Sequence, residues 1–198
     1  MNTLTYLVMS SGESIIILGI DPGLAKTGCG VIEKKGNIVQ PVGYGAITTR
    51  TNQSLPDRLK TIYDEIGELC KEYRPDYAAI EKIFFAANVK TAVSVAQARG
   101  VAILATAECG LSIAEYTPLE IKQAVAGYGK AGKRQVQEMV RVLLKLDEIP
   151  RPDHAADALA AALCHAFRGG RKRKKGRSSR NSMRGGVGDW KSKKYNLK

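Results

Sequence analysis

The sequence has few of the residues from which disulfide-bonded or zinc-bound proteins are built. It contains four cysteines, widely spaced along the chain and without a C-x-x-C pair, and two histidines, His154 and His165. A small secreted scaffold would need a denser set of cysteines, and a structural zinc site would need more closely spaced ligands. The pattern therefore excludes a disulfide framework, argues against structural zinc, and fits a reducing compartment.

Long hydrophobic runs are also missing. The longest strong one, residues 15–20, is far shorter than the roughly 18 residues that a membrane span needs. Residues 1–14 have no basic segment ahead of an apolar one, so we predict no secretory signal. We therefore expect a soluble, cytoplasmic protein.

Negative charge is scarce at one end of the chain. The sequence has 31 Lys and Arg against 19 Asp and Glu, for a net charge of +12. Residues 168–198 hold 13 of the basic residues and one acid, Asp189, so the rest of the chain is formally neutral. Composition and length predict three parts: an N-terminal extension at 1–14, one folded domain at 15–168, and a basic tail at 169–198, with both ends disordered.

The basic tail has two interpretations. It could bind DNA non-specifically, since each Lys or Arg that meets a phosphate releases counterions, and Trp190 among the tail's lysines could stack on a base. It could also be a solvated extension that only aids solubility. We favour the phosphate-binding interpretation.

The hydrophobic pattern of the central part predicts an α/β domain that opens with three strands. Residues 15–20 are a continuous apolar run closed by Asp-Pro-Gly, which is typical of a strand buried on both faces. Strands at 28–34 and 38–48 follow, joined by a polar turn that contains Gly36. The chain therefore begins with three antiparallel strands.

Helices and two further strands alternate after that. A helical stripe at about 55–73 has Ser54 as its cap and Pro75 at its end, and Thr117 to Glu120 form a capping box. The other predicted elements are strands at 77–80 and 111–116, a largely buried helix at 88–107, a helix at about 136–146 and a last helix at about 153–167. The sum is a five-stranded mixed sheet, three antiparallel strands and then two parallel ones, flanked by helices.

Four residues that can do chemistry fall at the ends of these elements. Asp21 and Glu81 each follow a buried strand, and their carboxylates meet at the carboxyl edge of the sheet if the two strands are neighbours. His154 and Asp157 are three residues apart on one helix and project from one face. Oxygen-rich ligation with one imidazole suits Mg²⁺ or Mn²⁺, and two such ions can activate water and stabilise a leaving oxygen in phosphoryl transfer.

Each of these residues also has a plain structural interpretation. Asp21 could be a turn residue, Glu81 a surface charge that pairs with Lys82, and His154 an ordinary first-turn residue. Asp153, just after Pro152, fits the N-cap of the last helix better than it fits a metal ligand. We favour the functional interpretation of the four because their combination would otherwise need four separate coincidences.

Four motifs in register resemble the RuvC family of Holliday-junction resolvases. They are IILGIDPG at 16–23 with TG at 27–28, AIEKIF at 79–84, QARGVA at 97–102 and HAADAL at 154–159. The resemblance runs from about residue 15 to residue 167. It implies an RNase H-like fold and a homodimer that nicks two symmetrically opposed strands of a four-way DNA junction, leaving 5′-phosphates, in recombination and repair. It also implies the branch-migration proteins RuvA and RuvB as partners.

The resemblance carries over to individual positions. The family's metal-binding catalytic residues fall on Asp21, Glu81, Asp157 and, at a position where members have either Asp or His, His154. The implied cofactor is Mg²⁺, which Mn²⁺ can replace, with two ions per subunit, Asp21 shared between them and His154 either a ligand or a proton carrier. The implied DNA-binding residues are Phe84, which would stack on a base, Lys122 and Lys133 near the scissile phosphate, and Arg99.

Plainer roles and rival families remain open at this level. Phe84 could pack in the core, and the two lysines could be solvated charges. The first motif also resembles the phosphate loop of actin-like ATPases, but those proteins have two such domains. The YqgF family of RNase H-like nucleases shares the Asp-x-Gly opening yet lacks matches to Phe84 and to His154 and Asp157. A catalytically silent nucleic-acid-binding protein would not need the acidic residues.

Overall fold

The structure of the domain is a computed structural model that describes residues 14–82 and 89–168 of the 198. The predicted extension up to residue 13, the basic tail from residue 169 with Trp190, and Phe84 lie outside the described residues. The described elements are, in chain order, β1 (Ser14–Asp21), β2 (Lys26–Lys35), β3 (Ile38–Thr48), α1 (Leu55–Tyr73), β4 (Tyr77–Glu81), α2 (Val89–Glu108), β5 (Ser112–Tyr116), α3 (Pro118–Ala126), α4 (Lys133–Leu143) and α5 (Asp153–Arg168).

The five strands form one mixed sheet in the order β3-β2-β1-β4-β5. The pairs β1–β2 and β2–β3 are antiparallel, whereas β1–β4 and β4–β5 are parallel. This confirms the predicted arrangement of three antiparallel strands and two parallel ones. Because Ile20 is aligned with Ile80 across the β1–β4 pair, the next residues of the two strands, Asp21 and Glu81, lie side by side at the carboxyl edge.

Helices cover both faces of this sheet. On one face α1 and α2 pack over a cluster that includes Leu18, Ile62 and Ala102. On the other face α5 lies directly on the sheet, with α3 and α4 beside it, around Ile17 and Leu159. Within residues 14–82 and 89–168, no helix is both long and apolar enough to cross a membrane.

Helix α5 approaches the sheet more closely than a side chain between them would permit. A Cβ atom added to Gly19 of β1 would lie 2.0 Å from the carbonyl oxygen of Ala158, and one added to Gly28 of β2 would lie 1.9 Å from that of His154. Glycine on the strands and alanine on the helix therefore bring two backbones into contact. This contact sets the height of the N-terminal end of α5 above β1 and β2.

Several local predictions need correction. Strand β1 begins at Ser14, one residue before the predicted domain boundary, and β2 begins at Lys26. Helix α1 has the predicted bounds and the predicted cap Ser54, and its C-cap is Arg74, whose backbone is left-handed with φ of 46°, directly before Pro75. Asp153 is the first residue of α5 and not its N-cap. The predicted capping box of Thr117 and Glu120 is confirmed at α3.

The prediction that the helix at 88–107 is largely buried is wrong for the single chain. Among its described side chains, buried ones lie on one side of α2, at Ala98, Ala102, Ala105 and Thr106. Up to residue 107, the exposed positions recur every three or four residues: Val93, Ala96, Gly100, Leu104 and Ala107. All of them are small or apolar, and Val93 and Leu104 are 54% and 52% exposed. The apolar character that suggested burial thus lies partly on the surface, and this set is called the α2 face below.

The contact under α5 gives a prediction about stability. The substitution Gly19→Ala should lower the free energy of unfolding by at least about 2 kcal/mol, because its methyl group would overlap the α5 backbone and overpacking of a tight contact costs about 1–3 kcal/mol. The matched control is Gly67→Ala in α1, where an added Cβ meets nothing within 4 Å. That substitution should raise the free energy of unfolding by about 0.5–1 kcal/mol. Urea denaturation of both variants measures the difference, and equal effects would contradict this account of the contact.

Candidate active site

The site lies at the carboxyl edge of the sheet, where β1 and β4 end. The last apolar residues of each strand, up to Ile20 and Ile80, are fully buried, and each strand then ends in a partly buried carboxylate, Asp21 or Glu81. Parallel strands place consecutive ends at the same edge, and open α/β sheets bind their ligands there. Asp21 and Glu81 therefore lie together because the two buried strands that precede them end at the same edge of the sheet.

The first turns of α5 supply the other two groups. His154 and Asp157 lie on one face of the helix, and the Nδ1 atom of His154 is 2.7 Å from Oδ2 of Asp21. One ligand atom from each of Asp21, His154 and Asp157 can be chosen so that all three lie within 4.8 Å of one another. The structure thus brings together all four residues that the sequence singled out, with Glu81 next to Asp21.

Crowding of like charges dominates the electrostatics of this cluster. Burial, together with the charges of Asp21 and Asp157, raises the pKa of Glu81 to about 8, and Lys122 opposes the rise. Burial also raises the pKa of Asp157, again with a contribution from Asp21. The hydrogen bond to Asp21 raises the pKa of His154, against the effect of burial. Three carboxyl groups this close are stable together only if a cation or a proton is shared among them.

The donor set fits a divalent cation. Carboxylate oxygens with one imidazole are the ligands of Mg²⁺ and Mn²⁺, whereas structural zinc sites in proteins favour sulfur and several imidazoles. The groups are partly exposed, with side-chain exposures of 16% for Asp21, 27% for Asp157 and 42% for His154, so a phosphate group can approach from solvent. The arrangement can therefore hold a cation and bring a phosphodiester against it.

The predicted DNA-binding residues are placed differently from one another. Lys122 on α3 lies near enough to Glu81 to affect its ionisation. Lys133, the first residue of α4, has its Nζ 3.4 Å from Oδ2 of Asp157. Arg99 on α2 instead forms an ion pair with Glu115 of β5. Two of the three described cations thus border the acidic cluster, and Arg99 is bound to the edge strand.

Sequence reasoning missed two features of the site. The first is the part played by Gly19 and Gly28, which let α5 descend far enough for its side chains to meet Asp21. Glycines in two neighbouring strands, followed later in the chain by an alanine-rich helix, were the available signal. The second is the contact of Asp153 with Lys133, at 3.3 Å, which no local spacing in the sequence indicates because the two residues belong to different helices.

Comparison with known proteins gives a consistent result. The family model described as crossover junction endodeoxyribonuclease RuvC matches residues 17–165. A protein of that name from Desulfitobacterium hafniense is 57% identical over 152 residues, which cover 77% of this chain and 92% of the relative. Another from Alkaliphilus oremlandii is 55% identical over 155 residues, covering 78% and 94%.

A solved structure agrees with the sequence relatives. The Thermus thermophilus RuvC structure in complex with a Holliday junction substrate superimposes with a TM-score of 0.74 at 38% identity, covering 77% of this chain and 93% of that one. The match of the family model to three quarters of the chain, the identity to named relatives and the acidic cluster at the sheet edge agree on one conclusion. This chain belongs to the RuvC family of crossover junction endodeoxyribonucleases, metal-dependent nucleases that resolve Holliday junctions.

Proposed function

We propose that Asp21, Glu81, His154 and Asp157 form the catalytic site at which this nuclease hydrolyses one phosphodiester bond in each of two opposed strands of a four-way DNA junction. One observation carries the assignment: ligand atoms of Asp21, His154 and Asp157 lie within 4.8 Å of one another at a partly exposed point, and Glu81 lies beside Asp21 at the end of the neighbouring strand. That point lies within the part of the chain that matches the family. The products would be nicks with 5′-phosphates, as the resemblance implies.

The proposed cofactor is Mg²⁺, with Mn²⁺ as a substitute, and the cluster offers ligands for two ions per subunit. Asp21 contacts both His154 and Glu81, which makes it the candidate for the ligand shared between the two ions, with Glu81 and Asp157 each binding one ion. Divalent ions held here would supply Lewis-acid chemistry, lowering the pKa of water and stabilising the leaving oxygen. The protein's own contribution is to hold four ligand groups in place despite the mutual repulsion of three of them.

His154 has one nitrogen committed and one free for chemistry. An ionised carboxylate only accepts hydrogen bonds, so Nδ1 of His154 donates to Asp21. This bond fixes the orientation of the ring and leaves the lone pair of Nε2 available, in the same way that carboxylates orient histidines in metal sites. Nε2 is therefore the atom we assign either to ligation or to accepting a proton.

Positive charge beside the acids would hold the substrate. Lys133 at the rim of the cluster and Lys122 near Glu81 are the proposed contacts to the scissile phosphate, because each can neutralise a phosphate oxygen that approaches the acids. Phe84 is proposed to stack on a base at the junction centre. Arg99 is proposed as a further DNA contact that must first release Glu115.

The α2 face supports a homodimer. It presents an apolar stripe of small residues and Leu104 to solvent, and such a surface suits close packing of two helices from two copies of the chain. A two-fold axis would place two equivalent sites opposite two strands of like polarity, which is what a symmetric junction requires. In the cytoplasm, RuvA and RuvB are the proposed partners, as the resemblance implies.

The catalytic assignment is tested with Asp21→Asn. Nicking of a synthetic four-way junction with Mg²⁺ should fall by about a thousandfold or more, because a shared ligand acts with the other groups as a unit. Junction binding, measured by gel shift in Ca²⁺, should persist because the basic residues are unchanged. The control is Asp64→Asn, which removes a carboxylate that is 50% exposed and pairs with Lys60 on the surface of α1. Normal nicking by Asp21→Asn would disprove the site.

The crowding of charge gives a prediction about stability. In EDTA at pH 7, Glu81→Gln should raise the free energy of unfolding by about 1 kcal/mol or more, because it removes a carboxyl group whose ionisation is opposed by burial and by Asp21, and each unit of pKa shift corresponds to about 1.4 kcal/mol. Adding Mg²⁺ should then stabilise the wild type more than the variant. Thermal unfolding measures both effects, with the exposed Glu148→Gln as the control. A destabilised Glu81→Gln protein would contradict this view of the cluster.

The dimer is tested by a charge on the α2 face. The substitution Leu104→Glu should weaken dimerisation by about tenfold or more, because a buried apolar anchor becomes an unpaired charge in the interface. Val142→Glu is a matched control, since Val142 of α4 is 51% exposed, close to the 52% of Leu104, and lies elsewhere on the surface. Sedimentation velocity at micromolar concentration distinguishes monomer from dimer. A wild-type protein that is monomeric there, or equal behaviour of the two variants, would rule out this interface.

A further inference from the structure

The ammonium group of Lys133 lies between two carboxylates of α5. Its Nζ is 3.3 Å from Oδ2 of Asp153 and 3.4 Å from Oδ2 of Asp157. Asp157 belongs to the acidic cluster, whereas Asp153 lies outside the three residues whose ligand atoms are within 4.8 Å of one another. The other oxygen of Asp153, Oδ1, is 3.7 Å from Nη1 of Arg151. Asp153 thus connects a cation of the site to the protein surface without joining the cluster.

The local sequence of α4 does not explain why Lys133 stands where it does. Lys133 and Arg134 open the helix, Gly132 before them provides no side-chain cap, and the first turn has no acid. A helix N-terminus carries a partial positive charge, so two cations there are unfavourable. The favourable partner of Lys133 comes from another helix, since Asp153 stands in the first turn of α5, where a negative charge is stabilised.

Asp153 is neither an N-cap nor a member of the acidic cluster. Lys133 is its main partner, with Gln137 and Arg151 contributing less. The pairing with Lys133 lowers the pKa of Asp153, so the carboxylate is ionised at neutral pH. Lys133 is 55% exposed on its side chain and Asp153 45% exposed, so the pair can rearrange without disturbing the core. A surface pair of this kind contributes little to stability, and its position beside the cluster is what distinguishes it.

We propose that Asp153 is a positioning residue that keeps the ammonium group of Lys133 at the rim of the site once a divalent cation occupies Asp157. This inference rests on the proposed function of the cluster. An ammonium group and a divalent cation compete for the same carboxylate, because each needs the negative charge of Asp157. Asp153 offers a second carboxylate oxygen at nearly the same distance from Nζ. Lys133 can therefore lose its contact with Asp157 and still remain at the rim of the site, where it would contact a phosphate.

Removal of Asp153 should therefore affect cation binding through Lys133. In Asp153→Asn, Asp157 is the only one of these two carboxylates left to Lys133. The ammonium group should therefore compete more strongly with the divalent cation for Asp157. We expect Mn²⁺ binding to the protein without DNA, measured by electron paramagnetic resonance, to weaken about fivefold, a size typical of coupling between neighbouring charges. In a Lys133→Met background the same change should alter Mn²⁺ binding by less than about twofold.

Cleavage gives an independent readout. Single-turnover nicking by Asp153→Asn at saturating Mg²⁺ should fall about tenfold, because the ammonium group is no longer held beside the phosphate. Asp153→Glu should restore most of the rate, since its carboxylate can reach the same ammonium group. In the Lys133→Met background, Asp153→Asn should cause no further loss. Asp147→Asn, a change of the same charge at an exposed residue of the segment before α5, is the control for long-range electrostatics.

The outcomes separate the two levels of the hypothesis. Equal effects of Asp153→Asn with and without Lys133 would overturn the inference, because Asp153 would then act as a general negative charge. The same conclusion follows if Asp153→Asn binds Mn²⁺ and cuts as well as the wild type does. A loss that tracks a lower urea midpoint in EDTA, and that Asp153→Glu does not rescue, would also overturn it in favour of a structural role. A wild-type protein that binds no Mn²⁺ would instead refute the proposed metal site.

Discussion

The backbone contact between α5 and the glycines of β1 and β2 is the constraint on which the site depends. At Gly19 and Gly28 the helix lies where a single methyl group would overlap a carbonyl oxygen. This proximity brings His154 within hydrogen-bonding distance of Asp21. It also brings Asp157 into the same cluster. Repulsion between Asp157, Asp21 and Glu81 acts in the opposite direction and pushes the helix away from the sheet. Burial of the apolar body of α5, from Ala155 to Ala166, supplies the opposing free energy.

Basic side chains surround the acidic cluster at increasing distance. His154 is in contact with the acids, Lys122 and Lys133 border them, and Arg151 lies beyond Asp153. Residues 1–167 are formally neutral as a whole, while the excess positive charge lies in residues 168–198. A polyanion such as DNA therefore meets an acidic centre that is favourable only when cations accompany it. For this electrostatic reason we expect metal binding and DNA binding to be coupled, because the cation alone or the substrate phosphate alone would leave one sign of charge in excess at the proposed site.

The sequence predicts some features of the site and not others, for identifiable physical reasons. The positions of Asp21 and Glu81 were predictable because a buried parallel strand is an unbroken run of apolar residues. The first acidic residue after such a run marks the end of the strand. The capping box at Thr117 was predictable because caps are local. The exposure of Leu104 was not, since an apolar stripe looks the same whether it faces a core or a second chain. The pairing of Lys133 with Asp153 and of Arg99 with Glu115 was not either, because each depends on how two elements are packed in three dimensions.

The order of the elements along the chain also has a consequence for synthesis in the cell. Asp21 ends the first strand, while His154 and Asp157 lie at the start of the last helix, near the opposite end of the domain. A ribosome translates all five strands before it reaches α5, so an unfinished chain has the sheet and one pair of acids but lacks the other two groups. Stalled or prematurely terminated products that end before residue 153 therefore lack two of the four proposed catalytic groups. Gly19 and Gly28, left uncovered in such fragments, would expose an incompletely packed sheet face that protein quality control can recognise.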